Sequence, residues 1–383
     1  MFILTGIPTW LIGLAVYSLE LGRKQVIAMN KTNVFLPGRL GNPALTIASD
    51  PRLDPNARPF FEGMELTAEL PPPIGPEAPI SEILDLFSAF EEQGLALDED
   101  TANLTAVQGL SRRLEVIEGF DGNSIALHIV EPIKHEGRLP CVVHFHGGGM
   151  TFFTAEDAPF VRWRDELASM GMVVVGVEFR NAAGKLGNHP FPAGLNDCAS
   201  ATRWVYQNRD VLGISHLIVS GESGGGNLCL ATALKALKEN WIDEIAGVYA
   251  MCPFIAGKSN PPLPELVSWR ENAGYMMTEE LNTLCAIAYD PGDENARNPL
   301  AWPYHATPED ITGLPPHVVS VNELDPLRDE GLIFARKLMA AGVTTFSRTV
   351  NGTGHGFDAL NPSVLPHVYY ATIGDIYRFA TAL

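Results

Sequence analysis

The chain has 383 residues, of which 46% are hydrophobic and 19% are charged, and its formal net charge is −19. A chain of this length and composition can bury a large core, which argues against a disordered protein. The negative charge argues against nucleic-acid binding, because that function needs clustered Lys and Arg. The five cysteines form no C-x-x-C pair, and no His/Cys cluster has the spacing of metal ligands. We therefore predict buried free thiols, no metal and no other cofactor.

The first 28 residues differ from the rest, because Met1 to Tyr17 is mostly apolar. This run is at the lower limit for spanning a bilayer, and no basic segment precedes it. Its positive charges, Arg23 and Lys24, come after the apolar run. We predict that residues 1–28 are an extension outside the fold of a cytoplasmic protein. A membrane anchor and a secretory signal are the alternatives.

The next segment, residues 29–111, is rich in proline and in acidic residues. Pro71–Pro73 marks an irregular link within it. Apolar residues recur at helical spacing in Ile80–Glu92, which predicts a helix that packs on the core. We predict that the main domain begins after this segment, at residue 112.

Short apolar strands that alternate with helical runs fill residues 112–383. The first two, Arg113–Glu118 and Ile125–Glu131, are predicted to form a hairpin that turns at Asp121-Gly122. Such alternation indicates a mainly parallel sheet with helices on both faces, an α/β fold. The later predicted strands are Val142–Phe145, Val173–Phe179, Leu217–Val219, Ala246–Ala250, Val318–Val321 and Thr345–Val350.

An H-G-G-G motif, His146–Gly149, follows the third of these strands. Successive glycines let backbone N–H groups approach a substrate carbonyl with no Cβ in the way. We predict the N–H groups of Gly148 and Gly149 as oxyanion-hole donors, with Gly147 as a weaker third candidate. A plain glycine-rich turn is the alternative interpretation. His146 is expected to anchor the loop by hydrogen bonding and not to transfer protons.

A G-x-S-x-G motif, Gly221–Gly225, lies between the run Leu217–Val219 and a helix-like run, Asn227–Lys238. A serine between glycines at a strand-to-helix turn is typical of a nucleophile elbow, because side chains at the flanking positions would clash. The N-terminus of the helix supplies N–H groups and a dipole that stabilise negative charge. We therefore predict Ser223 as a nucleophile and the N–H of Gly224 as an oxyanion donor.

An acid and a base follow in the order that acyl-transfer chemistry requires. Asp325 comes just after the strand-like run His317–Val321, and His355 lies between glycines just after Thr344–Val350. The order Ser, Asp, His is that of α/β-hydrolases and not that of chymotrypsin or subtilisin. We predict Asp325 as the acid and His355 as the base. The other carboxylates that remain open as the acid are Glu323, Asp329 and Asp358.

Together these motifs resemble the hormone-sensitive-lipase-like family of microbial carboxylesterases, also called family IV, of the α/β-hydrolase superfamily. The resemblance covers the chain from about Leu114 to the C-terminus and includes Glu178–Ala193, Asp325–Gly331 and His355–Phe357. The residues on either side of the serine, Glu and Gly, resemble the brefeldin-A-esterase-like branch. The commoner family pattern has Asp before the serine and Ala after it.

The resemblance implies an α/β-hydrolase fold with a helical cap over the active site. The cap would comprise residues 29–111 and an insertion at about 252–304 in the catalytic domain. It implies a carboxylesterase that hydrolyses short-chain esters through an acyl-enzyme, with a small-molecule ester as partner, no membrane partner, and often a homodimer. An amidase or deacetylase acting on N-acyl arylamines could use the same triad. A non-catalytic ligand receptor on this fold is a remote alternative, against which the presence of His355 argues.

Other residues near the motifs have less specific signals. Glu222 is expected to be structural and to hold the elbow or its neighbours, with an effect on the pKa values of the site as the alternative. Trp302, Phe152 and Phe153 are candidates for lining the pocket, although aromatic core residues would give the same pattern. Because acylation needs a neutral histidine, we expect kcat/KM to rise with pH between roughly 5.5 and 7.5.

Overall fold

A mixed eight-stranded sheet forms the centre of the computed structural model, which describes residues 36–68, 72–92, 101, 103–258 and 263–383, without the side chains of 64–68. Its strands are β1 (Leu110–Glu118), β2 (Ser124–Pro132), β3 (Leu139–Phe145), β4 (Val173–Glu178), β5 (Ile214–Glu222), β6 (Gly247–Met251), β7 (His317–Asn322) and β8 (Thr345–Val350). Their order in the sheet is β1-β2-β4-β3-β5-β6-β7-β8. The pairs β1/β2 and β2/β4 are antiparallel, and all the others are parallel. The mainly parallel sheet and its leading hairpin are as predicted.

Helices cover both faces of this sheet. In the described residues they are α1 (Gly38–Gly41), α2 (Arg58–Ala68), α3 (Ile80–Glu92), α4 (Ala158–Ser169), α5 (Ala193–Gln207), α6 (Gly224–Lys238), α7 (Ser268–Glu271), α8 (Glu279–Tyr289), α9 (Pro308–Ile311), α10 (Arg328–Ala340), α11 (Phe357–Leu360) and α12 (Pro366–Thr381). The neighbours Val142 and Val143 on β3 are fully buried against opposite layers, the first with α4 and α12 and the second with α5, α6 and α10. Burial on both faces explains why the strands are continuous apolar runs.

The segment before β1 packs on the segment between β6 and β7. Contacts join α3 to α8 and α1 to α7, and Arg52 forms an ion pair with Glu271. The carboxylate of Glu91, on α3, accepts a hydrogen bond from the N–H of Phe153, which follows the glycine motif. The predicted division into a cap of 29–111 plus about 252–304 stays a prediction. The predicted domain boundary at residue 112 falls inside β1, which begins at Leu110.

Two sequence predictions concern the cysteines and the N-terminus. All five cysteines are buried free thiols, as predicted. Residues 1–28 lie outside the described residues, so the extension and its two alternatives stay predictions. In the part of the chain that the structure describes, no helix combines the length and the apolar character needed to cross a bilayer.

Candidate active site

Ser223 lies at the turn between β5 and α6, with φ of 57° and ψ of −117°. This left-handed backbone is unfavourable for a residue with a side chain and is found where a surrounding structure enforces it. A Cβ on Gly221 or Gly225 would lie 2.3 or 1.9 Å from the carbonyl oxygen of Phe145, so neither position accepts a side chain. The helix begins at Gly224, three residues before the predicted start. The turn therefore has the shape of a nucleophile elbow.

His355 lies beside the acid that the sequence predicts for it. Its Nδ1 is 2.8 Å from Oδ2 of Asp325, whose side chain is fully buried. The other carboxylate oxygen, Oδ1, accepts the N–H of Leu327 at 2.8 Å. These two contacts fix the carboxylate, and a hydrogen bond at Nδ1 leaves Nε2 as the imidazole atom available for proton transfer.

The carboxylate changes the acidity of His355. Burial opposes the charged imidazolium and is the largest single effect, but the interactions with Asp325 and Cys252 together outweigh it, so the pKa of His355 lies well above its usual 6.5. The pH window predicted from the sequence therefore moves upward. Catalysis needs His355 to lose its proton. We therefore expect this loss above pH 6.5, and not across a window that extends below pH 6.5.

The three alternative acids have other partners. Glu323 accepts the N–H of Gly352 at 3.0 Å, and Asp329 accepts the N–H of Ser268 at 2.8 Å. Asp358 accepts a hydrogen bond from Asn322 on β7 at 2.9 Å. No hydrogen bond joins any of these three carboxylates to His355 in the described part of the chain.

The glycine loop lies against the start of α6. Gly148 has φ of 99°, and a Cβ there would lie 2.2 Å from the carbonyl oxygen of Phe152. A Cβ on Gly224 would lie 2.7 Å from the backbone nitrogen of Gly149, so loop and helix touch. Among the described residues, the N–H groups of these three glycines have no acceptor, whereas that of Gly147 donates to Glu222 at 2.8 Å. The N–H groups of Gly148, Gly149 and Gly224 can thus donate to an oxyanion. The N–H of Gly147 cannot, because it already donates to Glu222.

The loop is held by both His146 and Glu222. His146 donates from Nδ1 to the carbonyl oxygen of Gly147 at 2.8 Å and stacks on Phe179 with ring centroids 4.2 Å apart. Burial lowers the pKa of His146 to about 3, so this ring is neutral. Glu222 also contacts Nε2 of His144 at 3.0 Å. The contacts of Glu222 are those of a structural group beneath the loop.

A mostly apolar cavity of about 160 Å³ connects these groups. It is lined by Gly147, Gly148, Gly149, Phe152, Phe153, Phe160, Glu222, Ser223, Phe254, Met276, Met277, Leu281, Asn282, Cys285, His355, Gly356 and Leu360. Phe152 and Phe153 thus line the pocket, but Trp302 does not. The Trp302 ring packs edge-on against Phe254 and Tyr289 in the core, which corrects its assignment as a pocket candidate. A cavity of about 520 Å³ elsewhere contains none of the predicted site residues.

Several pocket residues have no motif that could have identified them. Met276, Met277, Leu281 and Cys285 come from the segment between β6 and β7, whose sequence has only helical spacing to mark it. Cys252, directly after β6, has only the sequence signal of a buried thiol. Its Sγ and the ligand atoms of Asp325 and His355 all lie within 4.8 Å of one another, close enough to hold a metal ion. Because both oxygens of Asp325 accept hydrogen bonds, we assign the group to proton transfer; the absence of a metal cofactor stays a prediction.

The chain is similar to esterases of known structure. A family model described as α/β hydrolase fold matches residues 142–359. Brefeldin A esterase, described as a bacterial homologue of human hormone-sensitive lipase, is 41% identical, with a TM-score of 0.84 over 90% of this chain and 97% of that chain. The esterase Est22 is 37% identical, with a TM-score of 0.79 over 88% of this chain and 99% of its own.

Curated relatives agree with these structures. An arylesterase of Saccharolobus solfataricus is 33% identical over 240 residues, which are 61% of this chain and 72% of that protein. The carboxylesterase NlhH of Mycobacterium tuberculosis is 30% identical over 247 residues, which are 62% of this chain and 73% of that protein. The chain therefore belongs to the hormone-sensitive-lipase-like esterases of the α/β-hydrolase fold and is a carboxylic ester hydrolase.

Proposed function

We propose that this enzyme hydrolyses short-chain esters with Ser223 as nucleophile, His355 as base and Asp325 as the acid that orients it. The observation that carries the proposal is that Ser223 and His355 line one apolar cavity while Asp325 lies behind the imidazole. A serine hydroxyl is a weak nucleophile at neutral pH and needs an adjacent base. Nε2 of His355 takes the proton as the oxygen attacks, and Asp325 stabilises the imidazolium that results.

The negative charge that develops on the substrate oxygen requires donors. The N–H groups of Gly148, Gly149 and Gly224 are the proposed oxyanion hole, because all three lie at the contact between the loop and α6 without another acceptor in the described residues. Loss of one such donor typically costs about 3–4 kcal/mol of transition-state stabilisation. His355 then protonates the leaving alcohol, and water repeats the sequence on the acyl-enzyme.

The cavity suggests the class of substrate. Its volume of about 160 Å³ suits a small ester, and aromatic and sulfur-containing side chains form much of its wall. Such a wall gains free energy from burying apolar groups and offers few polar partners. We infer a preference for short acyl groups with an apolar or aromatic alcohol, in line with the arylesterase among its relatives.

A panel of 4-nitrophenyl esters from acetate to palmitate tests this preference. We expect the highest kcat/KM for acyl chains of about two to six carbons and little activity on palmitate, which exceeds the cavity. Higher activity on palmitate would contradict the inferred substrate class. The matched 4-nitroanilides form the second arm of the test, since faster hydrolysis of the amide would favour the amidase alternative.

The same panel with Ser223→Ala tests the nucleophile. Activity should fall to background while the fold, measured by circular dichroism, is unchanged. Residual activity within tenfold of the unmodified enzyme would remove Ser223 from the proposed role.

The cytoplasm is the location that we propose. All five cysteines are buried thiols without a disulfide, which suits a reducing compartment. The full-length chain should therefore appear in the cytosolic fraction of its host. Recovery with the membranes would instead favour the anchor alternative for residues 1–28.

A homodimer is the assembly that the family resemblance implies. Strand β8 lies at an edge of the sheet, and Phe346 on this strand is 57% exposed. Light scattering should give about twice the chain mass of 41.5 kDa. A mass that stays at that of one chain over the working concentration range would contradict the proposal.

A further inference from the structure

Three buried ionisable side chains behind the glycine loop have no part in the mechanism above. They are Glu222, His144 and Arg164, which are 1%, 1% and 2% exposed. Burial of three such groups is costly unless they compensate one another. Their positions indicate what each one compensates.

Glu222 connects the glycine loop to His144. One carboxylate oxygen accepts the N–H of Gly147 at 2.8 Å, and the other lies 3.0 Å from Nε2 of His144. An ionised carboxylate has only acceptors, so Nε2 of His144 carries the proton in this contact. The other ring nitrogen, Nδ1, then has a lone pair, and it has no partner in the described residues.

Arg164 reaches the same row of the sheet from α4. A Cβ on Gly176 would lie 2.6 Å from Nε and 2.8 Å from Cζ of Arg164, so the guanidinium occupies the space above that glycine. Gly176 is the register partner of His144 on the adjacent parallel strand, and paired residues of parallel strands face the same side. The guanidinium and the imidazole therefore lie side by side on one face.

The guanidinium has no direct partner of its own. Within the described part of the chain its Nε and Nη1 are buried without a hydrogen bond, and no carboxylate lies within ion-pair distance. Burial lowers the pKa of Arg164 to about 10, so it remains a cation at neutral pH. It is a buried positive charge on the same face of the sheet as His144, and no hydrogen bond joins the two side chains in the described residues.

Three other carboxylates also attract Arg164. Asp165 forms an ion pair with Arg112 at 2.7 Å, and Glu156 is 74% exposed and therefore solvated. Burial raises the pKa of Glu178 to about 7, so this group carries only part of a negative charge in neutral solution. Glu222 attracts Arg164 less strongly than Asp165 and Glu178 do, but it is the carboxylate of this group that accepts the N–H of Gly147 in the glycine loop.

We propose that Arg164 is the counter-charge of Glu222, with His144 between them, and that these three positioning residues hold Gly147 and so the oxyanion loop in its working geometry. This inference rests on the proposed function, because the loop matters only if it stabilises an oxyanion. Removing Arg164 alone leaves Glu222 as an uncompensated buried charge. Removing both charges leaves a neutral row that retains most of its hydrogen bonds.

A double-mutant cycle on the full chain tests the coupling. Arg164→Met is expected to lower kcat about tenfold with KM within about twofold, since positioning of the oxyanion loop acts on the transition state. Glu222→Gln is expected to lower kcat by about as much. The double variant should be no slower than Glu222→Gln alone, because residues that act as a unit are not additive. If the two losses in kcat instead multiplied in the double variant, the proposal would be overturned.

A second measurement is the affinity of the enzyme for an aryl trifluoromethyl ketone. A merely structural role of Arg164 would not change this affinity selectively. This ketone forms a hemiketal with the serine and places a negative oxygen in the oxyanion hole. Its affinity should fall in parallel with kcat in Arg164→Met, while KM stays. Equal losses in KM and in ketone affinity would contradict the proposal.

Controls separate this inference from the function on which it rests. Arg162→Met removes an arginine of the same helix that pairs with Glu166, and it should keep kcat within about twofold. Ser223→Ala must abolish activity, or the proposed function fails whatever the cycle shows. If Arg164→Met does not fold, the double variant should fold, because it contains no uncompensated charge. A double variant that also fails to fold would contradict the charge pairing.

Discussion

At the residue scale, the helix that follows the nucleophile lies in close contact with the glycine loop. At Gly224 a methyl group would lie 2.6 to 2.8 Å from backbone atoms of Gly149 and Met150. The commoner family pattern has Ala at this position. The loop of this chain therefore lies nearer to the helix than an alanine would permit, and the geometry of the oxyanion hole depends on the missing side chain.

Gly224→Ala is accordingly expected to displace the loop and to lower kcat by about tenfold or more, up to the roughly 10²- to 10³-fold loss typical of removing an oxyanion donor. Steady-state kinetics on 4-nitrophenyl acetate measures the effect. Gly374→Ala is the matched control, since its nearest neighbour would be the end of the Arg378 side chain at 3.5 Å. Full activity in Gly224→Ala would show that the loop adapts at little cost.

The acidity of His355 leads to a second prediction. Because Asp325 and Cys252 together outweigh burial and raise its pKa above 6.5, kcat/KM should rise with pH to a plateau, with the midpoint above pH 6.5. Asp325→Asn should lower kcat by about 10⁴-fold, the loss known for the same change in serine proteases. The matched changes Glu323→Gln and Asp358→Asn should cost far less. A midpoint below pH 6 would contradict the raised pKa of His355.

At the scale of elements, one carboxylate on α10 fastens the segment after β6. Glu330 accepts the N–H groups of Ile255 and Ala256, both at 2.8 Å, and the indole N–H of Trp269 at 3.2 Å. Its side chain is buried, and burial raises its pKa to about 7. This segment supplies much of the pocket wall, so its attachment bears on both stability and activity.

Glu330→Ala would leave three N–H groups without a partner and should cost about 3 kcal/mol or more. A further test uses Glu330→Gln, which does not titrate. A carboxyl whose pKa is raised on folding destabilises the folded state as pH rises from its ordinary 4.5 towards 7. The Tm of the unmodified enzyme, relative to Glu330→Gln, should therefore be higher at pH 5 than at pH 7.5. A difference independent of pH would contradict the raised pKa.

Elements with a strong local pattern could be predicted from the sequence. Helix Ile80–Glu92 has the predicted bounds, since its apolar spacing places Ile83 and Phe87 in the core. The elbow could also be predicted, because close backbone contacts permit only glycine beside the serine and so give a recognisable motif. The order of the triad could be predicted from the positions of its residues after the strands. The pocket wall between β6 and β7 could not be predicted residue by residue. There Met276 and Cys285 line the pocket only because of tertiary contacts that no motif marks. Trp302 is an apolar residue of the same segment, but it packs in the core.

At the scale of the whole molecule, the described residues form one sheet, and the segment before β1 packs on the segment between β6 and β7 that lines the pocket. The described chain accounts for this arrangement from residue 36 onwards. If residues 1–28 are an extension, a protein that starts at Met29 should keep its kcat/KM within about twofold and its Tm within a few degrees. Loss of folding or activity would show that the extension belongs to the structure. Differential scanning calorimetry and kinetics on both proteins decide this.

The most direct test of the account is peptide mapping by mass spectrometry after reaction with a fluorophosphonate. Such reagents phosphonylate a serine that an adjacent base activates. We predict one adduct per chain, located on Ser223, and no adduct in Ser223→Ala or after denaturation. An adduct on another residue, or unmodified Ser223 in fully inhibited enzyme, would contradict the assignment of the nucleophile.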